Sequence, residues 1–318
     1  MHGFLRDMPS SSGTQGWKRS VTDARLDALA GGGSRFFLNA CWPRSHVSHA
    51  MAARGLLTSE GESVTEPFIN PYPSYDSAEA TASYLNADRA TDWLLGHTFV
   101  FAELALSARR KVTVLDFGCG PGAVTDHIAR RYGARVLAAD TAPDILRAAR
   151  ERGTPGAEYH LITDNRVDGL PDACADAAMC SFVLTCVPDE EVHRSVMSEL
   201  RRLLRPGARL ALLNTDPACY GLTFTSVRTG EAATQYRPGD PVPVHLRAGD
   251  GKWETFTNYY WPLHHYPELL AEADFTDITQ YRPTVEQAEV IADRTLFLSS
   301  SWEAERARPP MVITAATA

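Results

Sequence analysis

The sequence carries no excess of positive charge: 31 Lys and Arg stand against 39 Asp and Glu, a formal net charge of -8 over 318 residues. A nucleic-acid binder needs a basic face to neutralise phosphates, so no nucleic-acid partner is expected. The basic pairs Arg109-Arg110 and Arg201-Arg202 fall at expected helix ends, where cations suit the macrodipole. Long apolar runs are missing too. The longest, Trp93 to Ala108, is broken by His97 and Glu103 and is too short for the roughly 20 residues of a membrane span. No membrane partner is expected.

Cysteine pairs are also absent. Cys41, Cys119, Cys174, Cys180, Cys186 and Cys219 are scattered without a CxxC, and no secretory signal is recognised, which predicts reduced thiols and a cytoplasmic protein. His46 with His49, and His264 with His265, lack Cys or carboxylate company at ligand spacing. No metal site is expected. The length suits one large domain, or one domain with a modest cap, and leaves a homo-oligomer open.

Residues 1–66 have little hydrophobic periodicity and runs such as Ser10-Ser11-Ser12-Gly13 and Gly31-Gly32-Gly33-Ser34, the composition of a disordered extension. Met51 is an alternative start. A Pro-punctuated linker, Pro67 to Pro73, precedes the domain expected over 67–318. Helical patterns cover Tyr75 to Leu85 and Asp88 to Arg109. From 112 to 213 the chain then alternates short β-branched runs with helical patterns: strands at Val112–Asp116, Arg135–Asp140, Tyr159–Thr163, Ala175–Phe182 and Arg209–Leu213. That alternation predicts an α/β fold with a parallel, doubly wound sheet. Further on, a helix over Glu268–Ala273, a strand over Phe275–Gln280, a helix over Thr284–Glu303 and a last strand over Met311–Thr317 are expected. Residues 216–262 form an insertion with hairpin-like content.

The first expected strand runs straight into Gly118-Cys119-Gly120-Pro121-Gly122 and then a helix. Glycines there let backbone approach a nucleotide-like ligand at a helix N-terminus. Gly118, Gly120 and Ala123 also satisfy the dinucleotide pattern G-x-G-x-x-A, and Asp140 suits ribose hydroxyls in either case. Asp116 discriminates. It stands two residues before the first glycine, where a carboxylate would repel a pyrophosphate and attract a cation. Pro121 removes an N–H that a pyrophosphate would use. S-adenosylmethionine (SAM), with a sulfonium, an ammonium and no phosphate, fits better than NAD(P).

At this point VLDFGCGPG (114–122) resembles motif I of the class I SAM-dependent methyltransferases, and LRPGARLALLN (204–214) resembles that family's turn into its fifth strand. The resemblance implies a Rossmann-like sheet of seven strands with the last antiparallel, SAM as cofactor, and methyl transfer as activity. It implies that Asp116 and Gly118, Cys119, Gly120, Pro121 and Gly122 hold the methionine end. Asp140, with Thr141 beside it, would bind the ribose, and Asp164-Asn165 the adenine. Cys180, Ser181 and Phe182 would mark where SAM meets the acceptor. Plainer roles stand beside these: a helix cap for Asp140, a turn for Asp164, core for Cys180 and Phe182.

Tyr75 and Tyr84 resemble the tyrosines of a lid helix over SAM, so lid helices are expected at 74–109 around a SAM-binding core at 110–215. The insertion 216–262 is rich in aromatics; Tyr220, Phe224, Tyr236, Tyr259, Tyr260 and Trp261 are the expected acceptor walls. Such caps resemble those of bacterial natural-product methyltransferases. His264, His265 and Tyr259 are the titratable candidates for a base, with no dyad among them. The Asn/Asp-Pro-Pro-Tyr/Phe motif of amino-methylating nucleic-acid enzymes is missing, since strand four ends Cys180-Ser181-Phe182. The expected function is therefore methylation of a small molecule, with an NAD(P)-dependent oxidoreductase or a catalytically silent SAM-fold subunit as alternatives.

Overall fold

The computed structural model describes residues 86–107, 111–298 and 300–318, together with two short strands, β1 (Gly55–Leu57) and β2 (Ser63–Thr65), which pair antiparallel. Tyr75, Tyr84 and the helix expected over 75–85, like the linker and the rest of the extension, lie outside the described residues.

Eight strands form the main sheet: β3 (Thr113–Phe117), β4 (Arg135–Asp140), β5 (Ala157–Thr163), β6 (Arg166–Val167), β7 (Ala175–Ser181), β8 (Leu204–Thr215), β12 (Thr276–Tyr281) and β13 (Met311–Thr317). Their order is β12-β13-β8-β7-β3-β4-β5-β6. Strands β8, β7, β3, β4 and β5 pair parallel, and β13 enters antiparallel between β8 and β12. The expected seven strands are present, with the two-residue β6 added at one edge by a hairpin.

Side chains alternate across each strand and so divide the core in two. Val114, Ala138, Met179 and Leu213 point to a first face, packed by the helix over 90–103 (α1), α2 (Ala123–Tyr132) and α6 (Val285–Ile291). Leu115, Phe117, Ala139, Cys180 and Leu212 point to a second face, under α4 (Glu190–Leu203) and α5 (His265–Glu272). Helix α3 (Pro143–Glu151) follows β4. Asp116, Asp140 and Ser181 each alternate with second-face neighbours. All three therefore point to the first face, at the carboxyl ends of their strands.

Helix α1 replaces the expected helix 88–109 and carries a π-helical turn, Trp93–His97, between α-helical turns. Thr98 Oγ1 donates to Trp93 O at 2.8 Å inside that turn. Leu94, Leu95 and Val100 are fully buried, each worth about 2 kcal/mol, so tertiary packing rather than helix propensity holds this irregular helix. Gly96 lies against β8: a Cβ on it would come within 2.7 Å of the Leu213 side chain.

The insertion 216–262 folds as a second sheet of three antiparallel strands, β9 (Val227–Thr229), β10 (Pro241–Arg247) and β11 (Trp253–Tyr259). A buried polar knot ties it to α1 and to α7 (Glu303–Ala307). Glu305 Oε1 accepts from Thr91 Oγ1 at 3.1 Å and from Thr225 N at 2.7 Å, and Thr91 N donates to Ser226 Oγ at 3.0 Å.

Two expectations are corrected. The helix expected over 284–303 breaks into α6, a 3-10 turn (Arg294–Leu298) and α7. Asp293 caps the turn by accepting from Thr295 N and Oγ1, and Trp302 takes a left-handed φ of 60° to bury its indole. Pro206-Gly207 is not a turn before the strand. β8 starts at Leu204, and its residues 205–208 bulge between the Ala175↔Leu204 and Ala177↔Arg209 pairings.

Candidate functional site

The carboxyl ends of β3, β4, β5 and β7 lie side by side, the position where open α/β sheets bind ligands. At β3, Asp116 is 3% exposed and accepts a 2.6 Å hydrogen bond from Thr125 Oγ1 in α2. Among the described residues it has no cationic partner. Burial lifts its carboxyl to about 6; the Thr125 bond opposes this rise and the nearby Asp140 adds to it. A buried carboxylate without a counter-charge is the complement of a cationic ligand.

The glycine loop follows directly. Gly118, Gly120 and Gly122 have φ of +79°, +53° and +79°, conformations that only glycine adopts readily. A Cβ on Gly118 would lie 2.1 Å from Val183, whereas one on Gly120 would meet nothing within 4 Å and so faces open space. The loop's N–H groups are already committed. Gly118 N and Cys119 N donate to Ala139 O, Gly120 N to Asp140 Oδ2, and Gly122 N to Cys119 O; Pro121 has none. Within residues 118–122 a pyrophosphate would find no free N–H. Cys119 itself is 7% exposed, and burial raises its thiol pKa well above the ordinary value.

Asp140, at the end of β4, also accepts from Ala142 N at 3.1 Å, so its carboxylate holds the turn that leads into α3 and latches it to the glycine loop. Burial raises its pKa, opposed by these backbone bonds. A carboxylate accepts about four hydrogen bonds, which leaves capacity for ribose hydroxyls. Thr141 follows, half-buried. Asp164 and Asn165 are the two corner residues of the β5–β6 hairpin, with φ of 49° and 64°. Asp164 is exposed, and the buried Asn165 Oδ1 has no hydrogen-bond partner. At β7, Cys180 is core on the second face, Ser181 Oγ is buried without a partner, and Phe182 has a φ of 59°.

The residues expected on the acceptor side separate into two groups. Tyr220, Tyr236 and Tyr260 come together, with ring centroids 5.7, 6.2 and 6.0 Å apart. Tyr220 follows the carboxyl end of β8, at the same end of the sheet as Asp116. Tyr266, another aromatic of the expected acceptor region, is instead fully buried in the second-face core, its ring meeting His265 edge-on at 5.7 Å. Its pKa is raised well above the ordinary value, first by burial and then by Tyr220, Cys180 and Tyr260. Phe224 is core, 6% exposed on the first face.

Trp261 and His265 are corrections. Trp261 is 4% exposed, donates Nε1–H to Val187 O at 2.9 Å, and stacks on His265 at 4.3 Å. His193 Nε2 meets the carbonyls of Leu184 and Val187 at 2.9 and 3.2 Å, so it carries the proton. His193 Nδ1 must then accept from His265 Nε2 at 2.8 Å. Burial first, then neighbouring cations, hold His265 down to about 4. This pile bolts the cap's last residues to α4 on the second face, away from Asp116 and Asp140. His264 is exposed at the start of α5. Tyr259 ends β11 opposite Pro241.

One residue on the first face was passed over in the sequence. His97, in the π-helical turn of α1, is 5% exposed, and its Nδ1 is buried without a hydrogen-bond partner. Its ring meets Phe182 edge-on at 6.4 Å. A histidine interrupting an apolar helix was the available signal.

Sheet order, glycine loop and paired aspartates define a doubly wound protein built for a cationic, phosphate-free nucleoside cofactor. A family model described as a methyltransferase domain matches residues 114–207. N-demethylindolmycin N-methyltransferase of Streptomyces griseus is 33% identical over 213 residues, 65% of this chain and 90% of that enzyme. A ubiquinone biosynthesis O-methyltransferase of Xanthomonas oryzae pv. oryzae is 37% identical over 132 residues, 39% of this chain and 51% of that enzyme. Among solved structures, the CcbJ methyltransferase of Streptomyces caelestis superposes with TM-score 0.48 at 16% identity, covering 72% of this chain and 95% of that one. The chain belongs to the class I SAM-dependent methyltransferases. SAM is its cofactor. No described helix is long and apolar enough to cross a membrane.

Proposed function

We propose that this enzyme methylates a small-molecule acceptor of natural-product type, and that the methylated atom is a nitrogen. The observation that carries this is the reach of the similarity to the indolmycin enzyme. It extends over 213 residues, well past the matched 114–207 core, and therefore takes in sequence outside the cofactor half of the site. The ubiquinone O-methyltransferase resembles the chain over a shorter stretch.

When bound, SAM supplies an activated methyl group on its sulfonium, so the chain's task is alignment and exclusion of water. In this reading Asp116 provides the counter-charge for the cationic methionine end. Gly120 leaves room for the cofactor backbone, and Asp140 receives the ribose hydroxyls while holding the loop closed. Asp164 and Asn165 take the adenine edge. Tyr220, Tyr236 and Tyr260 form an aromatic, hydroxyl-bearing wall for the acceptor beside the end of β7. His265 is retired as a base because its Nε2 proton is committed to His193. His264 and Tyr259 remain as the candidate bases.

Purified enzyme with SAM and N-demethylindolmycin, analysed by mass spectrometry, tests the reading. A product 14 Da heavier, methylated at nitrogen, supports it. Transfer only to hydroxyl acceptors in a matched panel of phenols would overturn the choice of nitrogen.

A further inference from the structure

SAM's methionine end is a zwitterion, and Asp116 answers only its positive half. Asp116 can neutralise the ammonium. The α-carboxylate on the same carbon needs hydrogen-bond donors, and the glycine loop offers none, because every N–H from Gly118 to Gly122 is either committed or missing at Pro121. Donors must come from another element.

We propose that His97 Nδ1 and Ser181 Oγ form the subsite for the α-carboxylate of SAM, with His97 present as its neutral Nδ1–H tautomer. Both atoms are buried without a hydrogen-bond partner, and both can donate. Ser181 lies on the same face as Asp116, one strand away and two residues beyond Met179, the residue in register with Asp116. Strand spacing and rise place the two Cα atoms about 8 Å apart. A hydrogen bond, an amino-acid head group and a second hydrogen bond together span about the same distance.

His97 closes the subsite from above. Gly96 rests on Leu213, Leu213 is in register with Ser181, and Phe182 N donates to Leu213 O at 2.8 Å. These contacts bring the π-helical turn directly over the end of β7. A π-helical turn in an α-helix redirects a side chain without breaking the helix, and such turns recur at functional sites. The Arg89 cation adds positive charge beside the ring. Burial first, and then the Arg89 cation, hold the His97 ring down to about 3, so the imidazole is neutral at physiological pH. Arg89 itself is paired with Asp92 and lies with its guanidinium 6.0 Å from the Phe182 ring centroid.

The test compares two ligands that differ only in this carboxylate: SAM and decarboxylated SAM, titrated calorimetrically into the full-length chain. His97→Phe keeps the ring and removes the donor. Its affinity for SAM should fall roughly 10- to 30-fold, the scale of a charge-assisted hydrogen bond, while decarboxylated SAM should stay within about twofold. Ser181→Ala should act in the same sense. His97→Asn, which places an amide N–H near the Nδ1 position, should recover most of the loss. Equal weakening of both ligands, with an unchanged melting temperature, would overturn the proposal by making His97 a packing residue. Unchanged affinity for both would overturn it as well.

Discussion

Asp116 accepts its hydrogen bond from Thr125, in the first turn of the helix that follows the glycine loop, and so a buried carboxylate is held at the mouth of the proposed cofactor site. The bond fixes the carboxylate's direction without supplying charge. The site thus stores an unneutralised anion that a cationic ligand relieves.

A pH dependence follows with a definite sign. The folded-state pKa of Asp116, about 6, lies above the ordinary 3.8. Its contribution to apoprotein stability is therefore fully present below about pH 4 and is lost as pH rises through 6. SAM binding uses the ionised form, so affinity should fall as pH drops below 6, by up to about tenfold per unit. Asp116→Asn should raise the apoprotein melting temperature at pH 7.5, flatten the pH profile of SAM binding and weaken binding. Calorimetry from pH 5 to 8 checks this; a steep profile retained in the variant would assign the titration elsewhere.

Asp140→Ala should cost more than a ribose contact. It removes the acceptor for Gly120 N and Ala142 N as well. SAM affinity should fall by about 1.5–3 kcal/mol, and the apoprotein should also melt a few degrees lower. Weakened binding with no change in melting temperature would show that the loop holds its shape without this latch.

Trp261→Ala should destabilise the fold by about 3–5 kcal/mol, since it empties a stacked, hydrogen-bonded position between the cap and α4. Denaturant titration measures the loss. A variant that keeps its stability and loses only acceptor affinity would return Trp261 to the acceptor wall.

Tyr260→Phe and Tyr236→Phe keep their rings and should leave SAM affinity within about twofold. Truncating either to Ala should raise the acceptor KM with little effect on the SAM dissociation constant, by about 1–3 kcal/mol of lost contact. Steady-state kinetics with N-demethylindolmycin, paired with SAM calorimetry, separate the two effects. Loss of SAM binding in the Ala variants would make the tyrosine cluster a structural seam.

The local features were legible because their causes are local. A β-branched run followed by glycines in left-handed conformations is written in adjacent residues. The alternation of Leu115, Asp116 and Phe117 already determines which face the carboxylate takes. The parallel sheet and the cofactor's charge followed from such short-range patterns, with Asp116 and Pro121 deciding against a dinucleotide, whereas the antiparallel last strand was implied only by the family resemblance.

The rest depended on which elements meet across the fold. His265 reads as a base in isolation, but a partner 72 residues away takes its proton, and Trp261 spends its indole N–H on a carbonyl 74 residues away. His97 reads as an interruption in an apolar helix until a π-helical turn sets its ring against Phe182, at the end of a strand more than eighty residues further along the chain. Backbone conformation is chosen by neighbours in sequence, whereas the hydrogen-bond partner of a buried polar atom is chosen by topology. The sequence by itself determined the cofactor half of this enzyme, and only the tertiary structure decided which polar side chains remain available to a ligand.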